Sequence, residues 1–87
     1  MGSYNIEWKH SAARELRKLP REAISRILQA VEQLVTEPYP HGVRKLIGSE
    51  RTYRIRVGDY RVVYNVVSST FIIQIVRVGH RREGYDR

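Results

Sequence analysis

Arginines at positions 54, 56 and 61 lie close together in the segment Tyr53-Arg-Ile-Arg-Val-Gly-Asp-Tyr-Arg-Val-Val-Tyr64. A guanidinium is permanently charged. Its planar fork of N–H donors matches a phosphate bidentately, where a lysine offers a point charge. Three of them in one short segment point to binding of an anion.

The elements that must position these side chains are legible. Two alternating runs, Tyr53–Val57 and Tyr60–Val66, flank Gly58-Asp59. This predicts a β-hairpin with a two-residue turn. The pairs are then Val57 with Tyr60, Arg56 with Arg61, Ile55 with Val62, Arg54 with Val63 and Tyr53 with Tyr64. One face carries Tyr53, Ile55, Val57, Tyr60, Val62 and Tyr64, a surface for a core. The other carries all three arginines. Arg56 opposes Arg61 with Cβ atoms roughly 5 Å apart, a destabilising like-charge pair unless an anion joins it.

The whole chain is 87 residues, with 16 Lys and Arg against nine Asp and Glu for a net charge of +7. Length allows one small domain, expected over residues 4–87. Positive charge selects anionic partners: nucleic acid, an acidic protein or, less readily, a membrane surface. There is no cysteine, which excludes disulfides, zinc–thiolate sites and thiol catalysis and suits the cytoplasm. No apolar run is long enough to span a bilayer and no secretory leader is visible, so no membrane association is expected.

Along the chain, Tyr4, Ile6 and Trp8 alternate as in a short strand. Ser11 is placed to cap a helix running to about Lys18, with Ala12, Ala13, Leu16 and Leu19 inward. Pro20 opens a second helix, in which Ile24, Ile27, Leu28, Val31, Leu34 and Val35 form the inner stripe. Tyr39 to Ser49 reads as a connector. After the hairpin come a turn near Ser68-Ser69 and a last strand from about Phe71 to Val78. There Phe71, Ile73 and Ile75 are expected inward, and Ile72, Val76 and Val78 on the open face. The fold class is α+β, in the order β-α-α-β-β-β. It is an antiparallel sheet with a helix hairpin packed on one face and the first strand joining an edge.

These motifs carry a resemblance. The hairpin segment, followed by Val76-Arg-Val-Gly-His-Arg-Arg-Glu-Gly-Tyr85, resembles the RelE toxins of the RelE/ParE toxin–antitoxin superfamily, and the likeness extends over nearly the whole chain. The resemblance implies a RelE-like fold and a metal-independent endoribonuclease without cofactors. Such a toxin enters the ribosomal A site and cuts the mRNA codon there by attack of the ribose 2′-hydroxyl on the adjacent phosphate. Arg61 and Arg81 match family arginines, Tyr85 matches a tyrosine near the C-terminus, and Arg54 and Arg56 stand where the best-known members have lysines. It further implies an acidic RelB-like antitoxin as partner, with operator DNA bound only through that antitoxin. Within the superfamily two alternatives stand: a ParE-like inhibitor of DNA gyrase, and a non-catalytic antitoxin-binding module.

For the nuclease, arginines supply charge stabilisation but no proton transfer, since a guanidinium stays protonated. Two groups can act as base: Tyr85, whose phenolate neighbouring arginines would favour, and His80, histidine being the residue type whose reference value lies nearest neutrality. A second basic stripe, Arg14, Arg17, Lys18, Arg21 and Arg26 on or between the helices, together with Arg82 in the tail, is expected to meet RNA phosphates. Glu15, Glu22 and Glu32 are read as solvating helix residues.

Overall fold

The computed structural model describes residues 3–80. Arg81, Arg82 and Tyr85 lie outside them. The described elements are β1 (Asn5–Trp8), α1 (His10–Arg17), α2 (Arg21–Leu34), β2 (Arg44–Lys45), β3 (Thr52–Val57), β4 (Tyr60–Val67) and β5 (Ile72–His80). The sheet runs β1-β5-β4-β3-β2. β3, β4 and β5 form the expected antiparallel meander. β1 joins its edge in parallel to β5, with Trp8 beside Ile75.

The hairpin forms in the expected register, from Tyr53 opposite Tyr64 to Val57 opposite Tyr60. Gly58 has φ +61°, which suits the first central position of a tight hairpin turn and is a conformation glycine adopts without penalty. Two layers enclose one core. Ala12, Ile27, Val31 and Leu34 from the helices meet Ile55, Val62, Tyr64, Val66, Ile73, Ile75 and Val78 from the sheet. Each fully buried aliphatic among them contributes roughly 1.5–3 kcal/mol of transfer free energy.

Four local expectations are corrected. Ser11 lies inside α1, whose N-cap position is Lys9 and has no side-chain cap bond. The cause is the sheet: the Lys9 N–H donates to Ile75 O at 2.9 Å, so strand pairing persists to Lys9 and the chain turns directly into the helix. On α2, Leu28 is exposed while Ala23 is buried. A helix packed on one sheet buries a stripe, here Ala23, Ile27, Val31 and Leu34, and Leu28 is rotated off it. Within the Tyr39–Ser49 connector, Arg44 and Lys45 form the edge strand β2 against β3.

The fourth correction concerns β5. Val63 opposes Arg77 but Tyr64 opposes Ile75, so Val76 is an extra residue in the ladder. Such a bulge inverts the alternation beyond it. Val78 therefore turns inward and is 3% exposed, joining Ile73 and Ile75 in the core, whereas Arg77 and Gly79 turn to the open face. Phe71 is half-exposed with φ +55°, unusual for an aromatic residue. It ends the turn, its carbonyl accepts the Asn5 N–H at 2.8 Å, and its ring meets Tyr4 edge-on.

Candidate functional site

Cross-strand pairing arranges the open face in rows. The first row holds Arg56, Arg61 and Gly79 on β3, β4 and β5. The next, one pleat repeat of about 6.8 Å further along, holds Arg44, Arg54, Val63 and Arg77 on β2 to β5. Arg54, Arg56 and Arg61 thus share one face as the sequence implies. Arg44 and Arg77 were not foreseen. Arg44 depends on a two-residue strand with no alternation to reveal it, and Arg77 depends on the bulge. A strict period of two would have sent Arg77 to the core side, although it sits inside the motif that carries the family likeness.

Like charges oppose each other twice, Arg56 with Arg61 and Arg44 with Arg54. Arg77 Nη2 meets Glu15 Oε2 at 3.5 Å. Arg44, Arg54 and Arg56 make no ion pair with any described residue. Arg61 is 9% exposed and engaged in contacts of its own. Glycine opposite it on β5 leaves that side of its row without a side chain. Arg56 also lines a groove of about 230 Å³ with Ala30, Gln33, Pro40, His41, Gly42 and Ile55.

Glu15 ties this face to α1. Its Oε1 accepts the Val78 N–H at 2.8 Å. β1 stops at Trp8, so among the described residues the outer edge of β5 beyond Ile75 has no strand partner, and the carboxylate satisfies one of its donors. A glutamate read as merely solvating is a structural bond.

His80 opposes Tyr60 on β4, and the two rings meet edge-on with centroids 5.4 Å apart. Tyr60 packs against the core and lines a cleft with Pro20, Glu22, Ala23 and Arg26 of the helix layer. His80 is therefore on the helix-side face, while Arg56 and Arg61 project from the other. Arg14, Arg17 and Lys18 are exposed, and their helical spacing gives them one flank of α1. Arg21 opens α2. Arg26 stands apart, with Nη1 3.2 Å from where a Cβ on Gly58 would lie, beside the hairpin turn. Tyr53 and Tyr64 form an inner aromatic stack that continues to Tyr39. The Tyr64 hydroxyl donates to Pro38 O at 2.8 Å, fixing the chain after α2.

A five-stranded sheet backed by a helix hairpin is the architecture of the RelE-type toxins. Superposition bears this out: the RelE–RelB complex of Pyrococcus horikoshii matches with a TM-score of 0.81 at 32% identity, over 91% of this chain and 96% of that one. In sequence, toxin RelE1 of Methanocaldococcus jannaschii is 34% identical over 84 residues, 93% of this chain and 92% of its own. Toxin RelG of Mycobacterium tuberculosis is 32% identical over 88 residues, 97% and 98% respectively. The family model for the ParE toxin of type II toxin–antitoxin systems matches residues 6–85. The chain belongs to this toxin family and, within it, is of RelE type.

Proposed function

We propose that the protein is a ribosome-dependent mRNA endonuclease that cuts the codon in the A site and so arrests translation. The observation that carries this reading is the pair of arginine rows on the open face, with Arg54 and Arg56 unpaired among the described residues. Such a surface holds successive phosphates of a single strand by bidentate contact.

The chemistry requires three services. The 2′-oxygen attacks the adjacent phosphorus while its proton passes to a base. Negative charge accumulates on the phosphorane oxygens. The P–O5′ bond then breaks and O5′ takes up a proton, leaving a 2′,3′-cyclic phosphate and a 5′-hydroxyl. Arg61 and Arg81 are assigned to the phosphorane, Arg54 and Arg56 to the flanking backbone, and Tyr85 or His80 to proton transfer. Arg81 and Tyr85 lie outside the described residues. The helix-side position of His80 favours Tyr85. Holding the message in line on the ribosome supplies a large share of the acceleration, and no metal is needed in this scheme. The flank of Arg14, Arg17 and Lys18, with Arg21 and Arg82, meets ribosomal RNA by phosphate contact.

The RelE relative from Pyrococcus is seen with RelB. By the same reading an acidic RelB-like antitoxin neutralises this chain, and operator DNA is reached only through it. The cytoplasm is then the site of action. Among the described residues no helix is long and apolar enough to cross a membrane.

One observation favours a second reading: the matching family model is that of a ParE toxin, and a gyrase inhibitor needs no proton-transfer group. Primer extension on programmed ribosomes and a gyrase supercoiling assay, run on the same preparation, separate the two. Cleaved A-site codons with unimpaired supercoiling establish the nuclease. Intact message with blocked supercoiling establishes the gyrase inhibitor.

A further inference from the structure

Cleavage by 2′-oxygen attack needs two proton transfers, one from the 2′-oxygen and one to O5′. A guanidinium does not release its proton near neutral pH, and His80 stands on the helix-side face, which leaves Tyr85 for the first transfer. The second needs another group. His41 lines the groove of about 230 Å³ that Arg56 borders. Among the described residues lining it, those two are the only ionisable ones, and the remainder is Gln33 and apolar surface.

The backbone explains why the groove opens there. β2 runs antiparallel to β3 with Arg44 opposite Arg54. Continued toward the N-terminus, that register would set Gly42 opposite Arg56 and His41 opposite Val57. The ladder stops at Arg44 instead. The Val43 N–H donates to Pro40 O at 3.1 Å, and Gly42 has φ +89°. A left-handed glycine at the third position of a four-residue turn is the type II geometry, with His41 at the second position. This turn carries the chain away from β3 and fixes the backbone of His41 beside Arg56. Arg61, assigned to the phosphorane, is the direct partner of Arg56 on β4, one strand spacing of about 4.8 Å further in.

We propose that His41 is the general acid of the cleavage. As the P–O5′ bond breaks, its electron pair goes to O5′ and a ring N–H of His41 supplies the proton that completes the 5′-hydroxyl. The imidazole is left neutral and regains a proton from solvent, while the proton of the 2′-oxygen has passed to Tyr85. Histidine suits the task because it is the residue type whose reference value lies nearest neutrality, so it both holds a proton and gives it up in that range. This inference rests on the nuclease reading and deepens it.

The test is single-turnover cleavage on programmed ribosomes by the wild type and His41→Gln, with folding of both verified by circular dichroism. Two messages are compared: an ordinary one, and one in which sulfur replaces O5′ at the bond cut in the first. A thiolate departs without needing a proton, so the second message bypasses a general acid. On the ordinary message His41→Gln is expected to cut roughly 10²–10⁴-fold more slowly than the wild type. On the sulfur message the two proteins are expected to cut at equal rates. A folded His41→Gln that cuts the ordinary message at the wild-type rate overturns the assignment and leaves the nuclease standing. A defect as large on sulfur as on oxygen does the same, since His41 would then act other than by protonating O5′. No cleavage of either message by the wild type overturns both readings.

Discussion

The Glu15 carboxylate on α1 receives the main-chain N–H of Val78 on β5 at 2.8 Å, across 63 residues of sequence. A second oxygen of the same group meets Arg77 at 3.5 Å. One side chain thus ties the helix hairpin to the strand segment that carries Arg77 and Gly79. Hydrogen bonds to charged acceptors contribute about 1.5–3 kcal/mol, and the solvent-exposed ion pair adds little. Glu15→Ala is expected to lower stability by about 1–2 kcal/mol, or the melting temperature by about 5–10 °C for a domain of this size. Glu15→Gln keeps an acceptor and should recover most of the loss. Thermal and urea unfolding of the three proteins check this.

Arg61 and Arg56 are expected to differ: Arg61 is buried and held by contacts of its own, whereas Arg56 separates function from stability. If Arg61 stabilises the phosphorane, Arg61→Ala should reduce single-turnover cleavage by roughly 10²–10³-fold. Arg56→Ala removes one member of a like-charge cross-strand pair, so its melting temperature should hold or rise while cleavage falls. A lower melting temperature for Arg56→Ala would mean that the opposition is compensated within the protein.

The second arginine row has a salt signature. For single-stranded nucleic acid the logarithm of affinity falls with the logarithm of salt by about 0.7 per phosphate contact. Arg44→Ala and Arg54→Ala should each reduce that slope by roughly this amount when binding to a single-stranded RNA is followed by fluorescence anisotropy. An unchanged slope would place the phosphates elsewhere.

Burial raises the Tyr64 hydroxyl above the ordinary tyrosine value of 10.0, with Tyr39 and Tyr53 adding to the effect. The unfolded chain therefore releases this proton at lower pH than the folded one. Its contribution to stability is intact below about pH 10 and is lost as pH rises above that value. Tyr64→Phe is expected to move the midpoint of alkaline unfolding upward. At neutral pH it costs about 1 kcal/mol for the lost bond to Pro38. Unfolding followed by near-ultraviolet circular dichroism against pH reports both effects.

Much of this molecule was legible because two periodicities are clean. The hairpin register followed from Gly58-Asp59 and strict alternation on either side, and it is observed pair for pair. Ile27, Val31 and Leu34 were evident from helical spacing. What the sequence hid were events that break a period. The bulge at Val76 inverts everything after it, sending Val78 inward and Arg77 outward, and no residue type announces an extra position in a ladder. β2 is too short to alternate. Ser11 has the chemistry of a cap, but strand pairing at Lys9 decides where the helix begins. In the site, charge was visible from residue type alone. The hydrogen-bonded row of Thr52, Asn65 and Gln74 on the open face needed three strands in register before it could be seen.

The central claim is that the arginine rows position a message for cutting in the A site. The most direct measurement is the mapping of mRNA ends on ribosomes stalled with a vacant A site, after incubation with the folded protein. The account requires cuts confined to the A-site codon, with a 2′,3′-cyclic phosphate on the upstream fragment, and their loss in Arg61→Ala. Full-length message recovered from ribosomes exposed to folded wild-type protein would contradict it.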